Sequence, residues 1–320
     1  MLKVVIIGYG EMFTNLIAAT LDAGCEICGV LRSETIKYPY FLRKIKDILN
    51  PSTDYNYIKS YKLPEITGIS SVNSLEFKKK LLQLNPDIIL VGSWGEKFKK
   101  EIYCIPKIAC INAHPSLLPK YRGPNPYFWV IRNMESTTGV TFHLMDEEFD
   151  TGAILAQEEV KIFNSDTGES LKQRVVLTAR GSACELLKAL QEDIIIPLKQ
   201  REDKATYYSH PQDLELDFKK SAEENAALIR AAHPWTKAYF YHEITPIVPN
   251  PHKIFIEENH SNYSSRGTIV EVDPDSKLIS VLCEDGKILR MQDVKLYKKH
   301  DAPFTKNYIK REIKEGYLII

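Results

Sequence analysis

An apolar run at residues 107–111 passes without a break into Asn112-Ala113-His114, and Pro115 and Pro119 follow at once. The run reads as a buried strand. Side chains alternate along a strand, so Asn112 and His114 share one face. The two prolines cannot continue a ladder and force a rigid, irregular loop. Polar groups at the end of a buried strand belong at the C-terminal edge of a parallel sheet, where α/β proteins place their chemistry. A second polar cluster, Asp146, Glu147, Glu148 and Asp150, follows another apolar strand at 138–144. An amide, an imidazole and a carboxylate presented together can bind an oxyanion and move a proton.

The first half of the chain alternates strand and helix. Apolar strands are expected at 3–8, 26–31, 86–92, 139–144 and 153–162, and helices at 12–21, 74–85, 126–133 and 167–192. That alternation predicts a parallel, doubly wound, Rossmann-like α/β sheet. Gly8-Tyr9-Gly10 opens it like a dinucleotide fold, but Phe13 stands where the third glycine belongs. Arg32 and Ser33, with Glu34 only beyond them, follow the second strand where an acid would meet a ribose. The expectation is therefore a Rossmann-like sheet with no NAD(P).

Residues 33–63 mix Tyr38, Tyr40, Tyr55, Tyr57 and Tyr61 with Lys37, Arg43, Lys44, Lys46 and Lys59. Aromatics interleaved with basic groups can meet nucleic acid. An amphipathic helix that covers the sheet with Phe41, Ile45 and Ile48 is the preferred reading. Residues 199–218 are polar and read as a linker. Ser221 and Glu224 form a capping box that opens a helix. Short strands then dominate, at 253–257, 267–272, 278–283 and 288–294, with turns at Asp273-Pro274-Asp275-Ser276 and Glu284-Asp285-Gly286. They suggest a small β-barrel, and a helix is expected at 307–316. From Lys287 onward nine Lys/Arg face four Asp/Glu, an excess that suits phosphates or a solvated surface alike.

Asn112-x-His114 followed by Ser116-Leu117-Leu118-Pro119, with Asp150-Thr151-Gly152 placed 38 positions after Asn112, resembles the formyltransferases that use 10-formyltetrahydrofolate. Methionyl-tRNA formyltransferase and the amino-sugar formyltransferases are the members it is most similar to. The resemblance implies a mostly parallel catalytic sheet over residues 1–204, and a linker with an OB-like β-barrel over 205–320. It implies transfer of a formyl group from 10-formyltetrahydrofolate to a primary amine, with Asn112, His114 and Asp150 catalytic. On the donor side it places Trp94, Glu96, Lys97 and Phe98, with Asp146 and Glu147 beside them. A pterin needs a flat apolar slot with hydrogen bonds at its rim, and Trp94 or Phe98 can supply the slot. Ser116, Lys120 and Arg122, on the loop beside the site, are the acceptor-side candidates. The resemblance implies an initiator tRNA or an amino-sugar nucleotide as acceptor, whose phosphates Lys120 and Arg122 could pair. Within 33–63 the glycine- and arginine-rich loop that methionyl-tRNA formyltransferases carry is absent. Hydrolysis of the donor, and a non-catalytic folate- or nucleic-acid-binding protein, are the other readings.

Composition bounds the rest. Lys+Arg and Asp+Glu stand at 42 each, so global charge argues neither for nor against nucleic acid. No apolar run reaches membrane-spanning length, and residues 2–8 read as a strand rather than a leader, which gives a cytoplasmic expectation without a membrane partner. The six cysteines imply no disulfides in such a setting, and Cys25 and Cys28 face opposite ways on a strand. No zinc or EF-hand spacing occurs, so no metal is expected.

Overall fold

The computed structural model describes residues 1–33, 40–297 and 302–319. It divides into two compact units: Met1–Pro126, Thr137–Lys161 and Gln173–Tyr208 form one, and Tyr127–Ser136, Ile162–Lys172 and Ser209–Ile320 the other. The strands are β1 (Lys3–Gly8), β2 (Glu26–Arg32), β3 (Ile88–Gly92), β4 (Ala109–His114), β5 (Thr137–Leu144), β6 (Ile154–Lys161), β7 (Phe240–His242), β8 (Thr245–Val248), β9 (Ile254–Glu258), β10 (Ile269–Asp273), β11 (Leu278–Leu282), β12 (Lys287–Met291) and β13 (Lys295–Leu296). The helices are α1 (Gly10–Asp22), α2 (Tyr40–Leu49), α3 (Thr53–Ser60), α4 (Leu75–Leu84), α5 (Lys100–Tyr103), α6 (Pro126–Arg132), α7 (Gly168–Gln191), α8 (Ala222–Ala232) and α9 (Ala302–Glu312).

The first unit carries a six-stranded sheet in the order β2-β1-β3-β4-β5-β6. The first four strands run parallel, and β5 and β6 are each antiparallel to the strand before them in that order. The connection 145–153 is too short for a crossover, so β5 and β6 pair antiparallel. β3 is buried along its whole length, as a strand covered on both faces must be. At the C-terminal edge Gly8 pairs with Gly92. A Cβ on Gly8 would meet the Gly92 carbonyl at 2.1 Å, so here the first glycine serves a close backbone approach. Ser74 caps α4 through the Phe77 N–H, and Asn85 ends it in the left-handed region. Cys25 is buried and Cys28 half-buried, and burial pushes the Cys28 thiol up to about 11.

One expectation is overturned. The helix at 40–49 forms, but it does not cover the sheet with its apolar side: Phe41 and Ile48 are 70% and 73% exposed. A buried charge network fixes it instead. Arg32, fully buried at the end of β2, donates from Nη1 to Asp47 Oδ1 on α2 at 2.9 Å and from Nε to Glu65 at 2.8 Å. A second guanidinium nitrogen meets Asp47 Oδ2, and the Tyr55 ring lies 5.1 Å from the guanidinium carbon. A buried Arg must be paired, so the Asp47 side of α2 turns inward and Phe41 and Ile48 are left in solvent. Lys37 and Tyr38 lie outside the described residues, as do the side chains of Tyr40 and Arg43.

In the second unit Ser221 and Glu224 make the expected capping box. The four anticipated strands form one antiparallel sheet, β10-β11-β12-β9, and β7, β8 and β13 form a second, three-stranded sheet in the order β13-β8-β7. The expected barrel of short strands thus takes the form of two antiparallel sheets. The three strands of the second sheet are too short for alternation to reveal. Asp273 accepts from the Asp275 and Ser276 N–H groups in the anticipated turn. No helix among the described residues is long and apolar enough to cross a membrane.

Replacing Asp47 by Ala leaves two nitrogens of the buried Arg32 guanidinium without their carboxylate and Glu65 as its remaining ion pair. Breaking such a pair costs about 3–5 kcal/mol. Urea denaturation of D47A is expected to show a loss of that order, and a loss below about 1 kcal/mol, the worth of an exposed pair, would show that the network is not structural.

Candidate active site

β4 presents Asn112 and His114 on one face, and antiparallel pairing sets His143 opposite Asn112 and Thr141 opposite His114. Four polar side chains therefore meet on one patch of the sheet. Thr141 fastens the following loop: its hydroxyl donates to the Ser116 carbonyl at 2.6 Å and accepts from the Leu118 N–H at 3.1 Å. That loop returns Tyr121, whose carbonyl accepts from His114 Nε2 at 2.8 Å. Asp150, at the end of the acidic loop, completes the cluster.

Asp150 is 8% exposed. Its Oδ1 lies 3.3 Å from His114 Nδ1, 3.5 Å from His143 Nε2 and 3.4 Å from Asn112 Nδ2. Its Oδ2 accepts from the Gly123 N–H at 2.9 Å. Burial alone would raise the carboxyl's pKa, but the neighbouring His114 and His143 rings and the Gly123 N–H outweigh it and hold the group well below the usual carboxylate range. The same burial lowers His114, and the Asp150 charge pulls the other way without cancelling it. At neutral pH the pair is a carboxylate beside a neutral imidazole. Nε2 of His114 keeps its proton because a carbonyl sits 2.8 Å away, so Nδ1 faces Asp150 bare and is the ring position that can take up and give back a proton.

The fold also brings His143 of β5 into the cluster. Its Nδ1 donates to the Leu144 carbonyl at 2.8 Å, which leaves Nε2 to accept from Asn112 Nδ2 at 3.1 Å. That contact fixes the Asn112 amide. The second amide hydrogen meets Asp150 only at 3.4 Å, and a weakly held N–H is the one a developing oxyanion can take. The register opposite Asn112 carried the signal, but it becomes readable only once β5 is known to run antiparallel.

The remaining candidates divide. The loop 93–99 and the acidic loop lie together, joined by Lys97 Nζ to Glu148 at 2.9 Å. Glu96 is held by the Ser71 hydroxyl, the Val72 N–H and the Asn73 amide. Asn73, absent from the sequence reading, also bonds the Lys97 carbonyl and the Lys99 N–H. Phe98 fills the core with Phe77 and Ile102, so only its backbone can reach a ligand. Trp94 packs half-buried on that core, and its indole N–H is buried with no partner among the described residues. Asp146 accepts from the Glu148 N–H and the Thr151 hydroxyl, and Glu147 is exposed. Ser116 is fully buried and donates to the Lys120 carbonyl at 2.8 Å, whereas Lys120 is exposed. Arg122 is buried, its guanidinium bound to Gln200 and Glu202. A cleft of about 350 Å³ opens beside Asp150, lined among others by Phe149, Thr151, Thr206 and Tyr207. The described residues hold no group of three or more His, Cys, Asp or Glu arranged for a metal ion.

Known proteins resemble this chain over most of its length. The family described as formyl transferase matches residues 2–224, and the formyl transferase C-terminal domain matches residues 209–308. A methionyl-tRNA formyltransferase of Caldanaerobacter subterraneus subsp. tengcongensis is 30% identical over 76% of this chain and 77% of its own. That of Clostridium novyi is 36% identical over 68% of this chain and 70% of its own. An N-formyltransferase from Helicobacter canadensis, solved with folinic acid and dTDP-3-aminofucose, superposes with a TM-score of 0.67 at 20% identity, covering 93% of this chain and all of that one. HypX from Aquifex aeolicus, solved with tetrahydrofolic acid, gives 0.64 at 14% identity over 98% of this chain and 48% of its own. At those identities the two structures share the fold.

Titration of the histidines by NMR tests the electrostatics. His114 is expected to titrate below 6.5, and Asp150→Asn, which removes the charge that raises it, is expected to move it lower still. A rise in the variant would contradict the arrangement.

Proposed function

This chain belongs to the formyl transferase family, and from that premise we propose that it moves a formyl group from 10-formyltetrahydrofolate to the amino group of an initiator methionyl-tRNA. The observation that carries the chemistry is the convergence of His114, Asn112 and His143 on the one buried oxygen of Asp150. The acceptor rests on the curated relatives, named methionyl-tRNA formyltransferase and 30–36% identical over at least 68% of this chain.

The neutral amine attacks the N10-formyl carbon, the carbonyl oxygen becomes an oxyanion, and a new N–C bond forms. The long-held N–H of Asn112 donates to that oxyanion. The ammonium proton passes to the Asp150–His114 pair, directly or through a water. The bond from carbon to N10 then breaks, N10 takes up a proton from the same pair, and tetrahydrofolate leaves. A depressed Asp150 stays ionised and stabilises a proton on the more basic Nδ1 of His114, and a ring of lowered pKa then releases that proton readily to N10. No side-chain nucleophile is required. On the donor side, the orphaned Trp94 N–H and those Ser93–Lys99 backbone groups that Asn73 does not engage have hydrogen bonds to offer a pterin.

Tetrahydrofolate release is the measurement, with methionyl-tRNA, a panel of amino-sugar nucleotides, or no acceptor. Turnover with the tRNA alone supports the proposal. Turnover only with a sugar nucleotide, or only without acceptor, overturns the acceptor and leaves the chemistry intact. Asn112→Ala is expected to lower kcat about 10²–10³-fold, and His114→Ala about 10²–10⁴-fold. Wild-type rates in both would sink the mechanism.

A further inference from the structure

We propose that Gln200 is a positioning residue that sets the distance between Asp150 and His114. The inference rests on the reading of Asp150 and His114 as the groups that carry the proton. Gln200 lies in the polar stretch that the sequence presents as a linker, yet it is 5% exposed. Its amide makes four contacts, all of them internal. Nε2 donates to the Asp150 carbonyl at 2.9 Å and to the Gly152 carbonyl at 2.7 Å. Oε1 accepts from Arg122 Nη2 at 2.8 Å and from Nε at 3.2 Å. Only one orientation of the amide allows this, because a guanidinium offers donors alone and carbonyls accept alone.

Those contacts join the two loops of the site. Asp150 has a left-handed backbone, φ +60°, a conformation that persists in a non-glycine residue only when its surroundings hold it. Gln200 holds its carbonyl, and the Gly123 N–H holds its carboxylate. On the other side, Tyr121 and Arg122 belong to the loop whose carbonyl bonds His114. That loop is paired to the same polar stretch: the Arg122 N–H donates to the Thr206 carbonyl and the Tyr208 N–H to the Arg122 carbonyl, both at 2.9 Å. The Tyr121 N–H donates to the Thr206 hydroxyl at 2.8 Å. Two further guanidinium hydrogens of Arg122 go to Glu202 at 2.7 and 2.9 Å. Gln200 thus ties the loop of His114 to the loop of Asp150 alongside the Gly123–Asp150 bond, and its two amide ends grip one loop each. Arg122 acts in this latch as a structural cation rather than as a group offered to the acceptor.

Proton exchange between His114 and Asp150 depends on that spacing. Gln200→Glu keeps the size and the bond to Arg122, removes both donations and sets a carboxylate oxygen against two carbonyls. The expected result is a kcat about 10–100-fold lower, in line with a small misplacement of reacting groups, with KM for the donor and binding of folinic acid unchanged. The added negative charge is expected to move the NMR titration of His114 upward. Gln200→Ala, measured alongside, removes the same donations without a charge and is expected to lower kcat without that upward move. Asp150→Asn separates the two claims. If it is fully active, the reading of Asp150 fails and the latch has nothing to position. If Asp150→Asn is inactive while both Gln200 variants keep wild-type kcat and His114 titration, the latch is overturned and the catalytic reading stands. A rise in donor KM with kcat unchanged would overturn it as well, because that is the mark of lost binding rather than lost positioning.

Discussion

A carboxylate taken out of water must meet donors or polar rings or give up its charge, and Asp150 meets the Asn112 amide and the Gly123 N–H beside two imidazoles. One oxygen faces three side chains from β4 and β5, the other accepts a backbone N–H from the loop after β4, and its own carbonyl is held from the polar stretch at residue 200. Segments far apart in sequence are thereby fixed in one place. The glycines around the group follow from the same crowding. Gly123 has φ +96°, and a Cβ there would lie 2.3 Å from the Tyr208 carbonyl. A Cβ on Gly152 would lie 1.8 Å from the Leu144 carbonyl. Neither loop can approach Asp150 this closely with any larger residue.

What the sequence made legible follows from the range of the interactions concerned. Strand alternation is local, so β4 and the shared face of Asn112 and His114 could be read directly. Caps are local too, and Ser74, Asn85 and the Ser221–Glu224 box are where the side-chain chemistry puts them. Asp150 was reached through a spacing to Asn112 that a family resemblance gave meaning. His143 and Gln200 were not reached. The first depends on strand direction, which a hydrophobic pattern does not encode. The second depends on a contact 50 residues away in sequence, made by a side chain in a stretch whose polarity looks like solvation.

The helix at 40–49 shows the same limit from the other side. Its apolar spacing is as clear as that of any buried helix, and burial by the sheet was the natural expectation. The competing term is the charge of Arg32, which ends a buried strand and cannot be left unpaired. Asp47 satisfies it, and a helix can present only one face to the sheet. Electrostatic pairing at one position thus decided the orientation of ten residues, and the exposed Phe41 and Ile48 are its consequence. Phe98 illustrates the opposite outcome: chosen as a slot wall for its flat ring, it went to the core because β3 and α4 left an apolar space there.

The occupied fork of Arg122 bears on how an acceptor is recognised under the proposed reaction. A phosphate reaching this guanidinium would have to displace the Glu202 carboxylate, which is 63% exposed. It would then exchange one charge-assisted pair for another in a partly solvated place, with little net gain. Tight selection by that route is therefore poor physics. The cleft next to Asp150 offers something else. Phe149 and Tyr207 line it and are 43% and 62% exposed, and flat rings in solvent gain most from covering an equally flat or apolar group. Lys120, exposed on the neighbouring loop, lies outside the latch, so a charged acceptor can meet it without loosening Gln200's hold on Asp150. Such a division lets the site admit a polyanion at its rim while the groups that move the proton keep one fixed geometry.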